Sequence, residues 1–103
     1  MIDQAIYRVL GREQIADISA SGGTGLTATQ IAKPGIIYAQ IQVQESDCRW
    51  RVDGGAPTAS QGMYLAENGI IEVWGKQALE NFLAIDDTAA DALLEVIYYG
   101  GGA

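Results

Sequence analysis

The chain contains no histidine. That removes the commonest general base, the commonest zinc ligand and every Ser-His or Cys-His nucleophile pair. Acid–base work would fall to carboxylates, and Asp47, Asp53, Asp86, Asp87 and Asp91 all lie in segments read as loops. Two such groups flanking a glycosidic bond could hydrolyse it. Aspartates in loops more often accept hydrogen bonds from turn N–H groups, which is the expectation here. Asp86, Asp87 and Asp91 offer hard oxygen ligands to calcium, but their spacing does not match an EF-hand. Ser21-Gly22-Gly23-Thr24-Gly25 is glycine-rich like a phosphate loop, yet it lacks the Gly-Lys-Ser/Thr ending and a following helix, and it reads as a flexible loop. Cys48 alternates inward and reads as a small hydrophobe. The chain is therefore expected not to be an enzyme, with no catalytic residue, no metal site and no cofactor.

Binding chemistry is better represented. Arg49 and Arg51 project from the same strand face about 7 Å apart. They could clamp a neighbouring carboxylate, or pair locally with Glu45, Asp47 or Glu72 for under about 1 kcal/mol at a solvated surface. Trp50, Trp74, Tyr38 and Tyr64 could form an aromatic platform for a sugar ring, although Trp50 is more simply core. With Gln40 and Gln42, the residues Tyr38, Arg49, Arg51 and Trp74 make up the expected interaction surface.

Charge and size limit the partners. Thirteen acidic residues against six basic ones give a net charge of −7. Phosphate backbones need several neutralising cations, so nucleic acid is disfavoured. No run of about 18 apolar residues occurs, and Asp3 and Arg8 interrupt the N-terminal apolar pattern, so neither a membrane span nor a signal peptide is expected. A lone cysteine cannot form an internal disulfide, the usual staple of small secreted domains, so export is not expected and the protein is expected to be made in the cytosol. The 103 residues suit one domain, and 49% apolar against 18% charged residues is a globular balance.

The elements that must position these side chains read as strands. Ile37, Ala39, Ile41 and Val43 alternate with Tyr38, Gln40, Gln42 and Gln44, the pattern of a half-buried strand. After Glu45-Ser46-Asp47 the alternation resumes with Cys48, Trp50 and Val52 inward, so the two segments are expected to pair as a hairpin. Met63-Tyr64-Leu65 and Ile70 to Trp74 flank Asn68-Gly69, a second hairpin signal. Phe82 to Ile85 and Ala92 to Tyr99 are further strands, the latter with Leu94, Val96 and Tyr98 inward. Ala5 to Leu10 and Gln14 to Ser19 read as two more. Thr27 to Ile31 and Gln77 to Asn81 read as short helical turns. About seven or eight strands without long helical crossovers call for an all-β, antiparallel β-sandwich, jelly-roll-like or immunoglobulin-like. Its expected core is Ile41, Val43, Trp50, Val52, Met63, Leu65, Leu94 and Val96, and residues 100–103 form a flexible glycine-rich tail on the single domain 1–103.

One stretch carries a resemblance. Arg49-Trp50-Arg51-Val52-Asp53-Gly54-Gly55-Ala56-Pro57-Thr58-Ala59-Ser60-Gln61-Gly62-Met63-Tyr64-Leu65 resembles a segment of small virion-associated proteins of tailed bacteriophages. Ala78 to Phe82 and Leu94 to Tyr99 resemble that family's closing strands, in the same order. The resemblance implies a virion structural role: a capsid decoration protein, or the base of a head fibre, bound to the major capsid protein or other virion proteins. It leaves open a head-to-tail or tail component, and the aromatic residues keep open a carbohydrate-binding module for a host glycan. A homo-oligomer, with a trimer as the symmetric choice, fits a lattice with local threefold axes.

Overall fold

The computed structural model describes residues 7–87 and 92–101. They form eight strands and two short helices: β1 (Tyr7–Ile15), β2 (Thr24–Gly25), α1 (Ala28–Ile31), β3 (Ile36–Gln44), β4 (Cys48–Arg51), β5 (Met63–Leu65), β6 (Ile70–Trp74), α2 (Lys76–Asn81), β7 (Leu83–Asp86) and β8 (Leu93–Gly101). The strands make two four-stranded antiparallel sheets, ordered β1-β8-β3-β6 and β2-β7-β4-β5. The expected antiparallel β-sandwich is thus present.

The order follows from nested pairing. β4 pairs with β5, β3 with β6, β2 with β7 and β1 with β8. The chain is one long hairpin with its tip between β4 and β5, rolled so that β3 also meets β8 and β4 also meets β7. That is the jelly-roll arrangement, and it decides against immunoglobulin-like connections.

Both expected hairpins are corrected by this order. β3 and β4 lie in different sheets, as do β5 and β6. Glu45, with φ 75°, turns the chain across the sandwich, and Asp47 then ties it to the second sheet through Tyr64 and the Glu67 N–H. Asn68 does adopt φ 70°, and Gly69 N–H reaches the Ala66 carbonyl at 2.8 Å, but this turn changes sheets instead of closing a ladder. Alternation says which side chains face inward; it does not say whether the next strand lies beside them or opposite them.

The N-terminal half differs as well. β1 is one strand, with a bulge between Val9 and Gly11. Gly11 does not break it: the ladder to β8 resumes there with Gly11 opposite Tyr98, and the flexible side-chain ends of Lys33 and Gln30 lie over this edge. Ala5 and Ile6 lie outside the described residues. The glycine-rich segment is a turn at Gly22 and Gly23, followed by β2 paired to β7, not a flexible loop. The tail is corrected in part: Gly100 and Gly101 belong to β8 and pair with Arg8 and Tyr7. A Cβ on Gly100 would come 2.5 Å from Leu10 Cδ1 and 2.8 Å from the Gly35 carbonyl, a close approach of backbones. Residues 102–103 lie outside the described residues.

Inward residues of both sheets form the core. Ile41, Val43, Leu94 and Val96 are fully buried, beside Cys48, Ala84 and Tyr98. Leu79 of α2 and Phe82 after it extend the same cluster. Trp50, Val52 and Leu65 are half-buried against it. Met63 is not core: it is 61% exposed, because β5 is a three-residue edge strand and Met63 lines an open cleft of about 370 Å³ with Trp50, Val52 and Gly62. Pro57, in the tip of the roll, is fully buried, 3.1 Å from where a Cβ on Gly23 would stand.

Candidate functional site: an aromatic ladder on the outer face of one sheet

The outer face of the β1-β8-β3-β6 sheet is built by alternation and register together. Tyr38 of β3 lies opposite Tyr99 of β8 on one side and Trp74 of β6 on the other. Strands in a sheet are about 4.8 Å apart, close to the spacing of stacked rings, so aromatic residues in one cross-strand row can stand upright and stack. They do: Tyr38 stacks on Trp74 at 4.0 Å and 20°, and on Tyr99 at 4.6 Å and 9°. Tyr7 of β1, opposite the side-chain-free Gly101, meets Tyr38 and Trp74 edge-on at 5.8 and 6.0 Å.

The stacking decides what these rings can bind. Tyr38 has a neighbour on each face, so it presents an edge to solvent. A sugar ring needs an open aromatic face, and the four rings do not form a flat platform. Trp74 stands at the sheet edge, 48% exposed, and its outward face carries no stacked ring among the described residues. Its indole N–H donates to Glu72 at 3.2 Å. Burial among the rings, with Tyr99 and Glu72 beside it, raises the Tyr38 phenol above its ordinary pKa.

Polar rows run beside the ladder. Arg12 of β1 and Gln14 donate to Glu95 of β8, both at 2.5 Å, and these bonds hold its carboxyl below the usual carboxylate range. Gln40 and Gln42 of β3 share a shallow depression with Arg12, Ile70, Glu95 and Ile97. Ile70 and Val9 add aliphatic surface at 55% and 61% exposure. The face is thus mixed, with aromatic, amide and acidic groups on rigid strands.

Of the expected interaction residues, Tyr38, Gln40, Gln42 and Trp74 come together on this face. Arg49 and Arg51 lie on the other sheet, and both have partners within the chain. Arg49 pairs with Asp87 at 3.2 Å and covers the Tyr64 ring at 5.3 Å. Arg51 holds both oxygens of Asp53, at 2.9 and 2.7 Å, which lowers the Asp53 carboxyl to about 2. Their partners are therefore Asp87 and Asp53, not Glu45, Asp47 or Glu72. Tyr64 and Trp50 also stand apart from the ladder; Tyr64 donates to Asp47, and Trp50 stacks on Phe82 at 6.2 Å.

The loop carboxylates are occupied in the same way. Asp53 accepts from the Gly55 N–H, and Asp47 accepts from Glu67 N–H and Tyr64. Asp86 is buried in β7 and accepts from the Ser19 hydroxyl at 2.6 Å. Asp91 lies outside the described residues. Glu13, opposite the inward Val96 in the regular ladder beyond the bulge, accepts from Tyr98 and from Thr27 at 2.5 Å. Cys48 is buried with Asp47, Asp86 and Asp87 nearby, and burial first, then these charges, push its thiol up to about 12.

The ladder members missed in the sequence are Tyr99 and Tyr7. Alternation along β8 does turn Tyr99 outward, but membership in the row depends on register, which no local signal carries. Comparison with protein-family models, with curated proteins and with solved structures returns no match to this chain.

Proposed function

We propose that this chain is a structural component of a tailed-phage virion, made in the host cytoplasm and carried on the particle, which acts by contact and not by catalysis. The preferred placement is on the capsid, as a decoration protein or the base of a head fibre, bound to the major capsid protein and forming a homo-oligomer such as a trimer. The observation that carries this reading is the outer face of β1-β8-β3-β6. Exposed apolar groups gathered on one rigid surface mark interaction sites, and here Val9 and Ile70 share the face with a stacked ladder that ends in the exposed Trp74. The resemblance of Arg49 to Leu65, which forms β4, the tip of the roll and β5, supports the choice of a virion. Weak contacts suffice on a lattice, because many copies raise the effective affinity.

The test is the stoichiometry of purified particles, read by quantitative mass spectrometry. Copies on the order of hundreds support decoration, since shell sites are numerous. Fewer than about a dozen move the protein to the connector or tail. Absence from particles overturns the proposal.

A second reading is favoured by the open outer face of Trp74: a carbohydrate-binding module that attaches to a host glycan. It predicts glycan-array binding that disappears in Trp74→Ala while the fold is kept.

A further inference from the structure

The four sheet edges are not equally protected. β2 and β5 are only two and three residues long. Along β1, Lys33 Nζ donates to the Leu10 carbonyl at 2.7 Å and Gln30 Nε2 to the Arg12 carbonyl at 3.4 Å, so side chains cover that edge. β6 is a five-residue edge strand without proline or lysine. Its bonds to β3 are bracketed by Val43 N–H to the Gly69 carbonyl and Gly75 N–H to the Ile37 carbonyl. Bonded pairs alternate in an antiparallel ladder, so Ile71 and Val73 face β3 and the backbone groups of Ile70, Glu72 and Trp74 point to the free side. Among the described residues, no hydrogen bond takes up those groups.

The same three residues end the three cross-strand rows of the outer face. Trp74 ends the aromatic ladder, Glu72 lies beyond Gln40, and Ile70 lies beyond Gln42. An added strand would continue each row, and each row specifies a side chain: an aromatic ring on the open face of Trp74, a cation against Glu72, an aliphatic group against Ile70.

We propose that β6 is the docking edge for an extended, basic-centred segment of another protein, which adds as a fifth strand with an aromatic, a Lys or Arg, and an aliphatic residue opposite Trp74, Glu72 and Ile70. A second copy fits less well. The two-fold register that pairs all three edge residues sets Glu72 against Glu72, and each copy carries a net charge of −7. The inference rests on the contact-making reading above and supplies the chemistry of the partner.

The probe is a synthetic peptide containing Tyr-Thr-Lys-Thr-Ile, the order an antiparallel strand requires, with a control in which Lys is replaced by Glu. Expected results are protection of the Ile70, Glu72 and Trp74 amides from hydrogen exchange, and binding of the control weaker by about fivefold. Glu72→Pro should abolish binding with the far-UV spectrum unchanged, because that N–H is not used within the fold. Should Glu72→Pro unfold, Glu72→Lys serves instead and should reverse the preference between the two peptides. Equal binding of both peptides, binding that survives Glu72→Pro, or protection of the three amides by self-association without peptide overturns the proposal. The outcome is separable from the virion reading: a chain absent from particles that still binds the basic peptide keeps the edge and loses the virion.

Discussion

Tyr38→Ala should destabilise the protein by breaking two stacked contacts at once, and a set of double-mutant cycles can show it. Each stacked pair contributes about 0.5–1.5 kcal/mol beyond the area it buries. Tyr38 makes two, at 4.0 and 4.6 Å, whereas Trp74 and Tyr99 each make one with it. The expected loss from stacking alone is about 2 kcal/mol for Tyr38→Ala and about 1 kcal/mol for Trp74→Ala or Tyr99→Ala. For a chain of this size, 2 kcal/mol corresponds to a fall in Tm of about 8–16 °C. Coupling energies isolate the ring contacts from side-chain burial and strand propensity. Urea unfolding followed by far-UV circular dichroism, on the single and double variants, should give about 1 kcal/mol for Tyr38 with Trp74 and for Tyr38 with Tyr99. Trp74 with Tyr99, separated by Tyr38, should couple by less than about 0.5 kcal/mol. Coupling of the separated pair as large as that of the neighbours would refute the ladder, as would neighbour couplings below about 0.3 kcal/mol.

Other consequences are accessible to the same methods. Tyr98→Phe removes a buried hydroxyl that donates to the Glu13 carboxylate, and should cost about 1.5–3 kcal/mol in urea unfolding. Alkaline titration should lower stability. Cys48 is held above its ordinary pKa, to about 12, and Tyr98 above its own, so the unfolded chain releases those protons first. The Cys48 contribution is complete below about pH 9 and declines by up to about 1.4 kcal/mol per pH unit toward pH 12, with Tyr98 adding a further loss above pH 10. Unfolding curves that show no decline from pH 8 to 11 would contradict this. Native Cys48 should also resist alkylation at neutral pH, and label only as fast as the protein opens. Gly62 sits at φ 128° with Arg49 Cβ and the Trp50 carbonyl 3.3 Å from a notional Cβ, so Gly62→Ala should cost at least about 1–3 kcal/mol of thermal stability.

The sequence was legible wherever a property depends on neighbours along the chain. Ile41, Val43, Leu94 and Val96 are buried as their alternation requires, and Tyr38, Gln40, Gln42 and Trp74 do share an outer face. It was not legible wherever a property depends on which strand lies alongside. Cys48 and Trp50 look like the return arm of a hairpin with Ile41 and Val43, yet they belong to the opposite sheet. Met63 follows the inward alternation and still emerges at an edge, because inward means buried only where something lies across from it. Gly100 reads as part of a loose tail, whereas it is a place where the β8 and Gly35 backbones come too close for a Cβ. Arg49 and Arg51 alternate outward as their spacing requires, but Asp87 and Asp53 reach them through turns whose shape no spacing encodes.

The nested pairing also sets a timetable for folding. β8 lies between β1 and β3 with nine residues, and its register joins Tyr7 to Gly101 across nearly the whole described chain. Among the described residues, every other strand is synthesised before β8. Until β8 arrives, β1 has no ladder partner, β3 has only β6, and Tyr38 lacks one of its two stacked rings. Contacts of such long range must close large loops before they repay the entropy, which places folding in the millisecond-to-second range. In that interval β1 and one flank of β3 are open strand edges, so the nascent chain is at its most adhesive until β8 docks between them.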